Sequence, residues 1–368
     1  MPDYKEEIKK TGFILENRIV KILKEHSWSI ISNKYYEDDI AETVREIDIL
    51  AYKVSKIDEI QIYTALIISC KKSEENAWAL VCRDINLNEP NSNWWPLHIW
   101  TNDTALKQLG FKVNFEQEYY SYMHEEKDIT VMEPPLVDIF AYQEMNKKNG
   151  RAQNDKSIFS SITTLMKAQA YEIDALSSRK GTKSLYQFNL ISIIDSDLIK
   201  LHINDLEEIT EHKIESEQMV ARYIIRKKEQ FFRIRFILSN AFDKYIDSFN
   251  SLHKSNIEFF KKKREEWIID SIKNYPKLRL LQNEFINEIK EYISAESQWE
   301  IGTKEILDNS FLMWEHSLEK LKIFVTENTS ITEKLNSSDV INERTLFFLK
   351  KIFSYNGEFY FSNDSMSF

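Results

Sequence analysis

The chain has 368 residues and a formal net charge of −10, and 42% of its residues are apolar. That length suggests two or three domains or one large one, and the apolar content excludes an intrinsically disordered chain. Six glycines disfavour architectures built on glycine-rich phosphate loops, and two cysteines exclude a disulfide framework. The two cysteines read as core thiols, which favours a reducing cytoplasm, and no apolar run approaches a membrane span, so we expect a cytoplasmic protein without a membrane partner.

The N-terminal part of the chain has the pattern of a helix followed by strands. Glu16 lies on the apolar stripe of this helix, because Phe13, Val20 and Leu23 recur around it at spacings of three and four residues. A buried carboxylate is costly unless it is paired or bound to a metal, so Glu16 needs a partner. The predicted elements are a helix from about Lys5 to His26 and strands near Ser29 to Tyr36, Glu46 to Tyr52, Gln61 to Cys70 and Ala77 to Cys82.

Two of these strands carry ionisable residues. The segment from Glu46 to Ala51 contains Asp48, and the next strand ends in Ser69, Cys70 and Lys71. Alternate residues of a strand share a face, so Asp48 is expected to point with Glu46 and Leu50 and away from Ile47. Ser69 and Lys71 likewise share a face. If the two strands pair, Glu16, Asp48 and Lys71 are expected to converge at one edge of a sheet.

This ordered set resembles the PD-(D/E)XK superfamily of metal-dependent nucleases, particularly its restriction-endonuclease-like members, over about residues 10 to 85. The resemblance implies an α/β fold with a mixed sheet flanked by helices, and Mg²⁺- or Mn²⁺-assisted phosphodiester hydrolysis. It implies that Asp48, Glu16 and the carbonyl of Cys70 bind the metal. Lys71 would polarise the attacking water or steady the pentavalent phosphorus. Oxygen ligands of this kind suit Mg²⁺ and Mn²⁺.

One position departs from the family pattern. Ser69 stands where the (D/E)XK element has its acidic residue. A neutral hydroxyl adds no charge, so metal affinity should fall unless a neighbouring acid such as Glu46 or Glu74 substitutes for it. Two alternatives stay open here. In the first, Asp48 and Lys71 form a purely structural ion pair. In the second, the site is catalytically degenerate and is kept as a binding scaffold.

A basic segment lies in the second half of the chain. Between Arg222 and Arg264 there are twelve Lys and Arg residues against four Asp and Glu, interleaved with phenylalanines. Such a segment is suited to tracking a phosphate backbone. The alternative is that the phenylalanines are core and the cations are ordinary surface residues. The predicted nucleic-acid-binding residues are Lys72, Arg226, Lys227, Lys228, Arg233, Arg235, Lys261, Lys262 and Lys263.

The remaining segments suggest three regions: a nuclease-like core at 1–150, an α/β extension carrying the basic patch at 151–255, and a helical bundle at 256–368. Leu185 to Ile203 and Arg222 to Leu238 have strand-like composition and are expected to extend the first sheet. Further on, Phe311, Trp314 and Leu321 recur at helical spacing, which predicts an all-α C-terminal region.

Two functions follow from these patterns. The first is a Mg²⁺- or Mn²⁺-dependent DNA endonuclease of the restriction or anti-phage kind. It would act as a homo-oligomer or with a partner protein that supplies recognition or ATP hydrolysis. The second is a catalytically degenerate subunit that keeps the nuclease fold and binds nucleic acid or protein.

Overall fold

The computed structural model describes residues 3–38, 43–295 and 310–364. Its described part is a mixed α/β protein, with sheets flanked by helices and a largely helical C-terminal region. Contacts divide the chain into two compact units. The first comprises Met1–Asp103 and Gly110–Phe259, and the second comprises Thr104–Leu109 and Phe260–Phe368. Within the described ranges, no helix is long and apolar enough to cross a membrane.

The single N-terminal helix predicted from the sequence is divided in two. Helix α1 covers Tyr4–Lys10 and helix α2 covers Phe13–Glu25. Asp3 caps α1, since its carboxylate accepts a hydrogen bond from the backbone N–H of Lys5 at 3.1 Å. Gly12 is the N-cap of α2. The break places Glu16 in the first turn of α2, where the helix dipole favours a negative charge.

The first unit is built on a seven-stranded sheet. Its strands are β1 (Ser29–Glu37), β2 (Val44–Ile57), β3 (Ile60–Lys72), β5 (Ile99–Thr101), β7 (Ser184–Asp195), β10 (Ser216–Ile225) and β11 (Lys228–Leu238). They follow the order β1-β2-β3-β7-β11-β10, with β5 also paired to β7. The first three strands form an antiparallel meander, and β7 is parallel to β3. Strands from both later segments therefore extend the first sheet, as predicted, except that the strand Leu198–Ile203 joins a different sheet.

Helices cover both faces of this sheet. A crossover must join the parallel strands β3 and β7, and α5 (Lys156–Arg179) lies in that connection. The hydroxyls of Ser161 on α5 and Ser192 on β7 are 2.8 Å apart. The part of helix α6 (Phe242–Ile272) that belongs to the first unit packs on the opposite face, where Nδ1 of His253 lies 3.0 Å from Oγ1 of Thr64.

A second sheet completes the first unit. It has the order β6-β4-β8-β9, so β4 leaves the meander that the sequence suggested. Its strands are β4 (Asn76–Asp84), β6 (Val137–Asn146), β8 (Leu198–Ile203) and β9 (Ile209–Lys213). Helix α4 (Phe115–Ser121), a π-helical turn (Tyr122–Glu126) and a 3₁₀ turn (Thr130–Met132) lie between β5 and β6.

The second unit corrects one prediction. Its helices include α3 (Thr104–Leu109), α7 (Tyr275–Ala295), α8 (Thr329–Ser337) and α9 (Asp339–Phe353), but three strands form a sheet beside them. These are β12 (Phe311–Glu315), β13 (Lys320–Phe324) and β14 (Phe359–Ser362). The region is therefore not all-α. The central strand β13 is buried along most of its length, so its side chains show none of the alternation that distinguishes a strand from a helix.

Candidate functional site

Strands β2 and β3 separate at Asp48. Their antiparallel ladder ends at the pair of Ile49 with Ile68, and the same register places Asp48 opposite Ser69. Here the Asp48 side chain replaces a backbone acceptor of the ladder, because its Oδ2 accepts a hydrogen bond from the N–H of Cys70 at 2.6 Å. The carboxylate thus satisfies a backbone donor that has lost its strand partner.

The β1 side of Asp48 is also irregular. Asn33 has a φ of 52°, a left-handed conformation that asparagine tolerates better than most residues. Its side-chain amide donates a hydrogen bond to the carboxylate of Glu46. Ile47 and Leu50, three residues apart, pack into the same buried core. The expectation that Ile47 faces away from Leu50 was therefore wrong, because the alternation of faces along β2 breaks at Asp48.

Cys70 presents its backbone to this site. In an extended strand the N–H and C=O of one residue point to the same side, so the Cys70 carbonyl is directed to the side of Asp48. Ser73, three residues further along the chain, is consistent with this direction. Its N–H points to the opposite side and donates to the carbonyl of Asp195 at 3.2 Å. The Cys70 thiol is buried, and burial raises its pKa well above the ordinary value, with added repulsion from Asp48 and Glu16.

Glu16, Asp48 and Lys71 lie within electrostatic reach of one another. Burial raises the pKa of Asp48, while the Lys71 ammonium and the Cys70 N–H act in the opposite direction. Burial also raises the pKa of Glu16, and the charges of Asp48 and Glu46 raise it further. Three elements, α2, β2 and β3, therefore bring their ionisable side chains to one place. Their catalytic roles stay a prediction.

The carboxylate of Glu16 turns back towards the start of its helix. A Cβ added at Gly12 would lie 3.4 Å from Oε1 of Glu16, which locates that oxygen beside the N-cap. Glu16 accepts no hydrogen bond from the described residues. Its oxygens are therefore available to another ligand.

Lys71 is not part of a close structural ion pair. Within the ranges described, no carboxylate oxygen lies within 4.0 Å of its ammonium, although the charges of Glu16 and Asp48 act on it. This separation argues against a purely structural Asp48–Lys71 pair. It leaves the ammonium free to contact a bound anionic group.

Ser69 is an orphaned polar residue at the centre of the site. Only 1% of its surface is exposed, and its Oγ makes no hydrogen bond of normal geometry. The hydroxyl nevertheless lies close enough to Asp48 to lower the pKa of that carboxyl. A buried hydroxyl without a partner costs stability, so its position suits a site that acquires a further group.

Of the two acids proposed to substitute for the missing carboxylate, the structure favours Glu46. Its charge raises the pKa values of both Glu16 and Asp48. Glu74 is exposed and pairs with Lys72 at 2.8 Å, and Lys72 lowers its pKa. Glu74 is not among the groups that shift the pKa of Glu16 or Asp48.

The fit of a divalent cation can be judged from these atoms. In the described part of the chain, no three His, Cys, Asp or Glu side chains are arranged to hold a metal ion. The Asp48 carboxylate nevertheless lies on the side of Cys70 that carries its carbonyl, and the Glu16 carboxylate lies within electrostatic range of Asp48. Mg²⁺ commonly binds through one or two carboxylates and keeps several waters, so these oxygen donors are of the chemical type that it prefers.

A mixed-charge cleft of about 510 Å³ lies next to these residues. Arg18 and Asp195, two of the residues lining it, were missed from the sequence. They form an ion pair of 3.2 Å, and Oγ of Ser239 donates to Asp195 at 2.7 Å. The parallel register of β3 and β7 places Asp195 beside Lys72. No sequence signal links Arg18 to Asp195, because the two residues come together only through the long-range pairing of β3 with β7.

The predicted nucleic-acid-binding residues are dispersed. Lys227 and Lys228 are exposed at the turn between β10 and β11 and have no ion pair with a described residue. Arg226 pairs with Asp174, and Lys72 pairs with Glu74. Lys261, Lys262 and Lys263 belong to the second unit. Of these, Lys261 and Lys263 pair along their own helix with Glu265 and Glu266 at 3.9 Å and 3.1 Å.

Arg233 and Arg235 point inward. Nη2 of Arg233 donates to the carbonyl of Val131 at 3.1 Å, and Nη2 of Arg235 donates to the same carbonyl at 3.2 Å. Burial lowers the pKa of Arg235 to about 10. Guanidinium groups engaged in this way are poorly placed to contact a phosphate backbone, so the geometry argues against that role for this pair.

Comparisons with protein-family models, curated proteins and solved structures give no match to this chain. The functional interpretation therefore depends on the geometry of the residues themselves.

Proposed function

We propose that Glu16, Asp48 and Lys71 form a metal-dependent phosphodiesterase site on a restriction-endonuclease-like fold, with DNA as the substrate. The observation that carries the proposal is the mutual electrostatic influence of these three side chains, next to the point where β2 and β3 separate. The helix-then-meander order of α2, β1, β2 and β3 supports the same reading.

The carboxylates have the properties that a metal-binding pair needs. Burial and mutual repulsion raise the pKa values of Glu16 and Asp48, so a bound cation would relieve an existing electrostatic cost. Asp48 would bind through Oδ1, because Oδ2 holds the Cys70 N–H. A bound Mg²⁺ or Mn²⁺ would supply a polarised phosphoryl oxygen and an acidified water.

Lys71 would position the substrate. Lys71 lies on the same strand as Ser69. Its ammonium lies near Asp48 without a close carboxylate partner among the described residues. A scissile phosphate adjacent to Asp48 would therefore meet a cation that can stabilise the extra negative charge of the pentavalent state. Lys72, Lys227 and Lys228 are candidates for more distant phosphate contacts, in the first unit.

Plasmid digestion with Mg²⁺ or Mn²⁺ tests the proposal. Asp48→Asn and Lys71→Met should each abolish cleavage, because they remove charges from the site while nearly conserving side-chain size. Matched controls lie on the same hairpin: Asp58→Asn in the β2–β3 turn and Lys56→Met near it. Asp58 is ten residues from Asp48, or about 33 Å along an extended strand. Equal activity in the site variants and the controls would reject the assignment.

A degenerate scaffold is the second candidate function, and Ser69 is the observation that favours it. With a neutral residue at this position, the described residues supply no three-acid metal group. In that case neither the parent protein nor any variant would cut single- or double-stranded substrates, and Asp48→Asn would leave nucleic-acid binding unchanged. A role in restriction or anti-phage defence, with a homo-oligomeric or partner-activated enzyme, belongs to the first candidate.

A further inference from the structure

A small cavity lies inside the first unit between α5, β7 and β11. Its volume is about 30 Å³, which is room for about two water molecules or for one small ion and a water. Gln169 reaches it from α5, and Arg233 and Arg235 reach it from β11. Its polar lining contains two cations and no carboxylate.

The two arginines have no described carboxylate in ion-pair contact, although the more distant charges of Glu133 and Glu217 act on Arg235. Their hydrogen-bond acceptors are neutral: the carbonyls of Val131 and Glu133 for Arg233, and the Val131 carbonyl and the Gln218 amide oxygen for Arg235. In the part of the chain that the structure describes, neither guanidinium has a carboxylate oxygen within 4.0 Å. Buried charges are expected to be paired, and the rings of Tyr120 and Tyr245 beside these guanidinium groups carry no formal charge, so the two arginines can accept a further anionic partner.

The cavity also contains polar atoms without partners. Gln169 is 1% exposed, and neither its Nε2 nor its Oε1 makes a hydrogen bond. Nη1 of Arg233 is likewise buried and unbonded. Two of these three orphaned atoms are donors, and both belong to side chains that line the same cavity. Orphaned donors beside two guanidinium groups whose contacting acceptors are all neutral suit an anion better than they suit water alone.

The neighbouring histidine adds no charge. Nε2 of His98 lies 2.8 Å from the carbonyl of Phe231 and must donate its hydrogen to it. Burial lowers the pKa of His98 to about 4, so the ring is neutral at pH 7. The positive potential of the cavity therefore comes from Arg233 and Arg235.

We propose that this cavity binds one small monovalent inorganic anion of halide size. Nη1 of Arg233 and Nε2 of Gln169 donate to the anion, and Arg235 contributes its charge. Oε1 of Gln169 is an acceptor, so it binds a water beside the anion, for which the volume suffices. The anion fastens β11 to α5 and to the segment around Val131. This site is independent of the proposed nuclease chemistry.

Thermal unfolding in sodium chloride, compared with sodium gluconate at equal ionic strength, tests the site. Gluconate is too large for the cavity, so only chloride should stabilise the parent. At about five times its Kd, chloride should raise the unfolding temperature by about 2–4 °C. Arg222→Met should retain this shift, because Arg222 is exposed and pairs with Glu229 at 2.6 Å. Arg233→Met should lose it.

Gln169→Glu provides the sharper variant. It places a carboxylate where the anion would bind, so the protein should no longer respond to chloride and should unfold in gluconate at or above the parent's temperature. A parent that responds equally to chloride and gluconate would overturn the proposal and indicate a cavity that holds only water. If these variants do not fold, bromide soaked into parent crystals decides the matter. An anomalous peak beside Arg233 supports the site, and its absence contradicts it.

Discussion

Replacing Ser69 with glutamate tests whether the site gathers carboxylates around a cation. Ser69 is 1% exposed and lies opposite Asp48, so the new carboxylate would be buried beside Asp48, whose charge already acts on Glu16. Both of these acids already have raised pKa values. Ser69→Gln is the matched control, because it adds nearly the same volume without the charge. The difference between the two variants therefore isolates the electrostatic effect.

The expected magnitudes follow from that geometry. The added volume should cost both variants about 1–3 kcal/mol. In EDTA at pH 8, the extra charge should cost Ser69→Glu about 3 kcal/mol more, which lowers its unfolding temperature by about 6–12 °C relative to Ser69→Gln. Mg²⁺ at about 100 times its Kd would return about 2.7 kcal/mol to Ser69→Glu. The response of Ser69→Gln should be much smaller.

Differential scanning calorimetry of both variants, with EDTA and with Mg²⁺, measures these differences. Cleavage assays on the same preparations then show whether the added ligand raises activity or, if Glu46 already fills the vacancy, lowers it. Equal stability of Ser69→Glu and Ser69→Gln in EDTA, together with equal responses to Mg²⁺, would refute the reasoning. It would mean that position 69 does not lie in a carboxylate-lined metal site.

Three further predictions concern the first unit. Because the pKa of Glu16 is raised in the folded state, the stability that its neutral form provides at low pH is lost as the pH rises. Glu16→Gln should therefore be more stable than the parent at pH 8 in EDTA and equal to it at pH 4. The reverse order of stabilities would contradict the stated shift. Burial lowers the pKa of His253 to about 4, so stability should fall as pH falls from about 6.5 to 4, and His253→Gln should flatten this part of the thermal-unfolding profile; an unchanged profile would place the histidine in solvent. Asp38→Ala should lower the free energy of unfolding in denaturant by about 3 kcal/mol, because it removes the buried carboxylate held by Lys167 at 2.8 Å and Arg45 at 2.6 Å. A loss below about 1 kcal/mol would show that solvent screens these two ion pairs.

Local patterns in the sequence predicted the elements around the site well. Apolar strands interrupted by Asp48 and Lys71, and a carboxylate near the apolar face of a helix, identified residues that the structure brings within electrostatic range of one another. The predicted stripe itself was wrong, because the buried residues of α2 are Leu15, Ile19 and Leu23 and Phe13 is exposed. The irregularity at Asn33 was missed: asparagine is a frequent left-handed residue, but this position matters only in the register of β1 and β2. The alternation argument failed at Ile47 for the same reason.

Long-range pairing was beyond the local patterns. Asp195 reaches Arg18 and Lys72 only because β7 runs parallel to β3 after a long crossover. The basic segment misled because composition does not distinguish an arginine that faces solvent from one that faces a cavity, as Arg233 does. In the second unit, the spacing of Phe311 and its neighbours suggested a helix, whereas a buried hairpin satisfies the same apolar residues.

Diffraction from crystals soaked in Mn²⁺ tests the central claim most directly. The account predicts an anomalous peak within about 2.2 Å of Oδ1 of Asp48, near Glu16 and the Cys70 carbonyl, that disappears in Asp48→Asn crystals. A map with no peak at Asp48, or with manganese only among the exposed acids of the neighbouring cleft, would contradict it.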